Sequence, residues 1–291
     1  MSTLRAVICL LFSFPVLLMG GCGGRPDDET ARSGEMTLAV DRQLESIAGI
    51  QSDLFRRYYP DARITAIPSG SAKTLGMLLS HTARAALISG KPDAREDSLF
   101  AELKPPLRFE PVARDAIVCI VNSRNPLASL SLKELAALFY GNGNTLTPLV
   151  TGDDYRLHSL LAALTGERGK NLRAGACSTN TELIARVAAD SMAAGLMFRS
   201  SFDSPSGRAQ AAENVRIMPI REYAASKAYL PTPENIFDGR YPLVAIVYYV
   251  YYSGDALPAG FGSWLQREGQ KAFERSSFAP FRMVERTIIL K

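Results

Sequence analysis

The chain reads as an α/β protein of two lobes, with two mixed sheets flanked by helices and a cleft between them. Three observations lead there. The first third alternates short β-rich segments with helix-period segments, and a β-α-β-α-β order requires a parallel sheet covered by helices. Two long apolar, β-rich runs, 115–122 and 241–252, flank a second α/β set. Finally, 291 residues, 47% of them apolar, can bury one large or two medium cores. If the two runs cross between lobes, 36–117 and 241–291 form lobe I and 118–240 form lobe II.

Residues 36–40 are a short apolar strand. Asp41 can cap the helix that follows, whose stripe is Leu44, Ile47, Ala48, Leu54, Phe55 and Tyr58 before Pro60 stops it. Residues 63–67 alternate polar and apolar side chains as a strand does, and Pro68, lacking a donor, is expected to end it. Ser69-Gly70-Ser71 is then a small polar turn. Ser71 is the expected N-cap of a helix carrying Leu75, Leu78 and Leu79.

The rest of the chain is organised around this strand–turn–helix. The first turn of a helix has unpaired N–H groups and the positive end of the dipole, and Gly70 lets a ligand approach the backbone. Lys73 adds a charge there. The plain alternative is an ordinary βα loop with a good cap.

Residues 85–89 form a buried strand that ends in Gly90-Lys91-Pro92. Residues 93–111 are charged and Pro-rich, a surface connection with one helical turn. After strand 115–122, Ser131 and Glu134 make a capping-box pair, with Leu132, Leu135, Leu138 and Phe139 on the buried face and Gly141 at the end. Strand 146–150, the polar turn 151–156 and a helix with Leu157, Leu160, Leu161 and Leu164 follow. Thr179 and Glu182 open another helix. Strands 195–198, 215–220 and 241–252 and an amphipathic tail, 261–273, complete the chain.

The net charge is +4, with no basic run, which gives nucleic-acid binding no support. Arg5, the apolar stretch 6–19 and Gly20-Gly21-Cys22 resemble a bacterial lipoprotein signal, with Cys22 becoming the lipidated first residue. Residues 1–22 are then the signal and 23–35 a flexible tether. Of the remaining cysteines, Cys119 and Cys177 are either a disulfide or two buried free thiols. The two histidines, His81 and His158, stand alone. The sequence has no zinc spacing, no Gly-x-Ser-x-Gly elbow and no Cys–His pairing, so no enzyme, cofactor or metal site is expected.

Several stretches together resemble the periplasmic phosphate-binding protein family of the bacterial phosphate ABC transporter. They are the lipobox-like start, 64–76, the segment from Asn122 through Asn125-Pro126 to Phe139-Tyr-Gly141, Ala193-Ala-Gly-Leu-Met-Phe198, Gly239-Arg-Tyr-Pro-Leu243 and Glu268-Gly-Gln270. The resemblance implies a two-lobed, type II periplasmic-binding-protein-like fold. It also implies a small oxyanion ligand, phosphate above others, an ABC permease partner, and a monomer held outside the cytoplasm by its lipid.

Residue by residue, Ser69, Gly70 and Ser71 match the family's first anion loop, and Val40-Asp41 sits where its first strand presents backbone to the ligand. Ser89-Gly-Lys-Pro92 matches a further loop, with Gly90 in place of a Ser or Asp. Gly152-Asp-Asp-Tyr-Arg156 replaces the family's Ser-Gly-Thr. There Arg156 or Lys91 would neutralise the acids, and Asp153 or Asp154 would accept a phosphate proton; alternatively those acids face water. The missing Ser-Gly-Thr also supports a different reading: a ligand-less envelope interaction or signalling module, its cleft filled by side chains such as Tyr155.

Overall fold

The first lobe is built on a period of two. In β1 (Gly34–Asp41), Met36, Leu38 and Val40 face one core and Ala39 the other. A 3-10 turn (Arg42–Leu44) leads into α1 (Glu45–Tyr58), β2 (Ala62–Ser69), α2 (Ser71–Leu79), β3 (Ala85–Ser89) and α3 (Ala94–Ala101). The long β4 (Leu107–Asn122) then runs into the second lobe. That lobe holds β5 (Leu130–Ser131), α4 (Leu132–Tyr140), β6 (Thr147–Thr151), α5 (Tyr155–Thr165), β7 (Gly175–Cys177), α6 (Asn180–Ala189) and β8 (Ala193–Phe198). It continues with α7 (Arg199–Phe202), α8 (Pro205–Ala211), β9 (Val215–Ile217), β10 (Ile220–Arg221) and α9 (Pro233–Phe237). β11 (Val244–Tyr252) returns to the first lobe, followed by α10 (Ala256–Gln266), α11 (Gln270–Glu274) and β12 (Ala279–Pro280). The computed structural model describes residues 29–141, 146–152 and 154–283, so Cys22, the signal segment and Asp153 lie outside the described residues.

The strand order is β2-β1-β3-β11-β4-β8-β6-β7, with β12 and β9 also on β4. β1 is parallel to β2 and β3, and β11 is antiparallel to β3 and β4. β4 pairs with β11 up to Ala116 and with β8 from Ile117 onward. The two expected mixed sheets are therefore one sheet of ten strands, eight in that path and two beside it, joined through β4, while β5 and β10 form a separate pair. Helices cover both faces. On the first lobe, Val247, Tyr249 and Tyr251 pack with α1 and α10, whereas Tyr248, Val250 and Tyr252 pack with α2. Phe55 meets Phe261 and Trp264 edge-on at centroid distances of 5.2 and 5.8 Å.

Several local expectations shift, each for a physical reason. β2 continues through Pro68 to Ser69, because it is an edge strand and loses no ladder donor there. Helix α2 begins at Ser71, with Gly70 as its N-cap. Asp41 caps nothing; its carboxylate accepts the Ser89 N–H instead. The charged connection holds the two-turn α3, and β4 starts at Leu107, well before the apolar run. The tail breaks into α10 and α11. The segment expected as tether is docked from Glu29: Arg84 bonds both Glu29 and Asp255, and β1 starts at Gly34. Cys119 and Cys177 are free and buried. They sit on β4 and β7, three strand spacings or roughly 14 Å apart, beyond disulfide reach.

Asp115 marks the crossing between lobes. It is fully buried, and its carboxylate accepts the Ala116 N–H at 2.7 Å, the Ser200 N–H at 3.3 Å and the Ser200 hydroxyl at 2.5 Å. It thereby ties β4 to α7. Burial pushes its pKa up to about 6, against those hydrogen bonds and Arg199. A carboxyl whose folded pKa is raised from 3.8 penalises the fold when charged. The penalty is complete above about pH 6 and vanishes as pH falls toward 4. Asp115→Asn, which keeps the shape, should remove up to about 3 kcal/mol of this pH-dependent penalty. Urea unfolding of both proteins at pH 4.5 and 8 would show a difference between them that grows with pH.

Candidate ligand-binding cleft

The organising loop is assembled by its own short-range bonds. Thr74 donates its hydroxyl to the Gly70 carbonyl at 3.3 Å, and the Ser69 hydroxyl lies 2.9 Å from the Thr74 oxygen. These bonds turn the Ser69 side chain inward; Ser69 and Ser71 are buried and Gly70 between them is partly exposed. Gly70 is extended, with φ −67° and ψ 150°, and a Cβ there would meet open space. No side chain caps α2. Among the described residues, the first-turn amides of Ser71, Ala72 and Lys73 have no protein acceptor, the state that favours a bound anion.

Ser69, Gly70 and Ser71 line a cleft of about 720 Å3 between the lobes. Its first-lobe wall is the 3-10 turn, the start of α1, this loop and the tail from Arg275 to Phe278. Its second-lobe wall is Thr151, Asp154, the start of α6 and the α7–α8 segment. Four arginines, Arg42, Arg199, Arg208 and Arg275, face three acids, Glu45, Asp154 and Asp203. Asp203 holds both Arg199 and Arg208, and Arg199 reaches across to the Ser277 carbonyl at 2.7 Å. Arg275 is exposed and has no ion pair among the described residues.

The opposite helix end, α6, is capped by its own chain. Thr179 accepts the Glu182 N–H at 3.1 Å, and the Glu182 carboxylate accepts the Ser178 N–H at 2.7 Å. That pairing satisfies the Glu182 N–H, while the Asn180 and Thr181 amides have no protein acceptor among the described residues, so both helix starts present unpaired donors at the cleft. Sequence reading missed the arginines of this cleft. A signal was present: Arg199-Ser-Ser201 and Arg275-Ser-Ser277 are the same tripeptide, and both face the cleft.

The other expected site residues lie elsewhere. Lys73 is exposed on α2 and is not part of the cleft wall. Asp41 is fully buried beside Ser69 in the β1–β2 register; one oxygen accepts the Ser89 N–H at 3.0 Å and the other has no partner. Burial pushes its pKa up to about 6, against the Ser89 amide, Arg156 and the Thr74 hydroxyl. Ser89 is also buried and accepts from Gln43 at 2.9 Å. Arg156, expected to neutralise loop acids, instead makes a two-pronged pair with Glu96 at 2.8 and 3.0 Å and donates to the Lys91 carbonyl at 3.3 Å. Asp154 caps α5 by accepting the Leu157 N–H at 3.1 Å and also lines the cleft.

Helix α5 thus rests on the first lobe. Tyr155 donates to Asp93, and Leu160 packs over Gly90, where φ is +80° and a Cβ would come within 2.4 Å of it. Gly90 therefore departs from the family's Ser or Asp at the point where a side chain would push α5 off.

Comparison with known proteins agrees with this architecture. A putative phosphate ABC transporter substrate-binding protein from Clostridium perfringens, solved with bound phosphate, matches with a TM-score of 0.69 at 14% identity, over 86% of this chain and 100% of that one. An ABC-type phosphate transport receptor from Vibrio cholerae matches at 0.64 and 17%, over 84% and 99%. The regulatory domain of CcmR from Synechocystis, in complex with 2-PG, matches at 0.56 and 13%, over 80% and 96%. At these identities the likeness is one of fold. No curated protein matches the sequence. The model of the PBP superfamily domain matches residues 26–268, nearly all of the two-lobed body described above, and the chain belongs to that superfamily.

Proposed function

We propose that the chain is an extracytoplasmic solute-binding protein, not an enzyme, which takes an oxyanion-bearing solute into the interlobe cleft and presents it to an ABC permease. Phosphate is the simplest such ligand. The observation that carries the reading is the start of α2, which no side chain caps and which meets the cleft wall at Ser69, Gly70 and Ser71. Main-chain donors at a helix end hold an oxyanion without needing a lysine, so Lys73 can stay in solvent. The phosphate-related titles among the structural matches support the ligand class. The lipobox-like start supports anchoring through a lipid on Cys22.

One observation favours the other reading, a ligand-less interaction or signalling module. The contacts of α5, Arg156 with Glu96 and Leu160 over Gly90, join the lobes by side chains of the protein itself.

Calorimetry separates the two readings, and the further measurements check the α5 contacts and the lipid. Calorimetric titration with inorganic phosphate should give heat in the wild type. Ser71→Asp, which places a carboxylate in the first turn of α2, should lower phosphate affinity at least tenfold; because Ser71 is buried, circular dichroism checks that the variant folds. A wild type that gives no heat with inorganic phosphate or with a phosphate ester would remove the transport reading. Arg156→Met, which leaves Glu96 without its partner, should cost about 3 kcal/mol in urea unfolding and broaden the interlobe distances seen by X-ray scattering. Labelled palmitate should enter the wild type and not Cys22→Ala.

A further inference from the structure

The cleft is much larger than a bare oxyanion. A water takes about 30 Å3 of liquid, so a five-atom oxyanion fills on the order of 100 Å3. The cleft holds about 720 Å3, within the range of small organic ligands. Two-lobed binding proteins can shrink such a space by hinge closure. Here the lobes already touch on the α5 side. Arg156 is 1% exposed and paired with Glu96 across the gap, Leu160 leaves no room for a side chain at Gly90, and Tyr155 bonds Asp93. Arg199 joins the walls a second time through the Ser277 carbonyl. Pressing the lobes together on that side would compress close-packed contacts, which resist compression.

The chemistry of the walls is uneven. The start of α2 is an anion pole, and Arg275 is a second cation without an ion pair among the described residues. Thr151 and Ser276 spend their hydroxyls on Asn180 and the Phe273 carbonyl, whereas the hydroxyls of Ser178, Thr181 and Ser201 line the space without a protein partner among the described residues, and hydroxyls both donate and accept. An apolar body would leave these groups unpaired; a polyol would pair them.

We propose that the occupant is a phosphate monoester of a polyhydroxylated carbon skeleton, its phosphoryl group against Ser69, Gly70 and Ser71 and its hydroxyls among the cleft serines. This rests on the anion reading above and names the ligand class of the same site. The test is calorimetry on the purified full chain with inorganic phosphate, glycerol 3-phosphate and glucose 6-phosphate. At least one ester should bind tenfold or more tighter than inorganic phosphate, and Arg275→Ala should narrow that gap below threefold. Arg275 is exposed and unpaired, so the variant should fold, and circular dichroism would check it. Inorganic phosphate binding as tightly as both esters, or a gap unchanged in Arg275→Ala, overturns the proposal and leaves the anion reading standing. No heat from any of the three overturns both.

Discussion

The pair between Arg156 and Glu96 sets where the two lobes stand. A guanidinium taken out of water costs several kcal/mol unless it meets a carboxylate in good geometry, and two parallel N–H donors meet that condition. Because Arg156 belongs to α5 of the second lobe and Glu96 to α3 of the first, the pair acts as a clasp. Gly90 lets it close by leaving room for Leu160. The consequence for function is spatial. The α5 side of the interlobe space is occupied by the chain itself, and the open volume lies along the α2 and α6 side.

Within that volume, the helix starts on the two walls differ in their capping. Helices α2 and α6 both start at the cleft. Thr179 accepts one first-turn amide of α6, from Glu182, whereas no side chain caps α2. A side-chain cap uses a donor that an anion would otherwise take, so the start of α2 keeps one more. The arginines do not reverse the contrast, since Asp203 already balances two of them. Asp41 adds a restraint from beneath. It lies behind the loop, with one oxygen unpaired in the interior, and its raised pKa reflects a charge that the interior disfavours.

Much of the fold was legible because its signals are local. The period-two strands at 36–40 and 85–89 and the Ser131–Glu134 capping box needed only near neighbours to be recognised. The strand–turn–helix at 63–79 was legible for the same reason, to within a residue at its cap. Pro68 was misread because its effect depends on whether the strand lies at an edge, and edge position is a property of the sheet. The start of β4 was hidden for a similar reason. Residues 107–114 mix charge and proline, and they are strand only because β11 and β12 pair with them.

The sequence alone determined the α/β class and the strand–turn–helix around Ser69, Gly70 and Ser71. Each of these rests on residues close together in the chain. Tertiary structure decided the partners of the charges. Arg156 lies beside two acids in sequence yet pairs with a third, sixty positions away, and the two Arg-Ser-Ser segments meet one cleft from different parts of the chain. Electrostatic energy depends on distance and burial, and sequence spacing specifies neither once the chain has crossed between lobes.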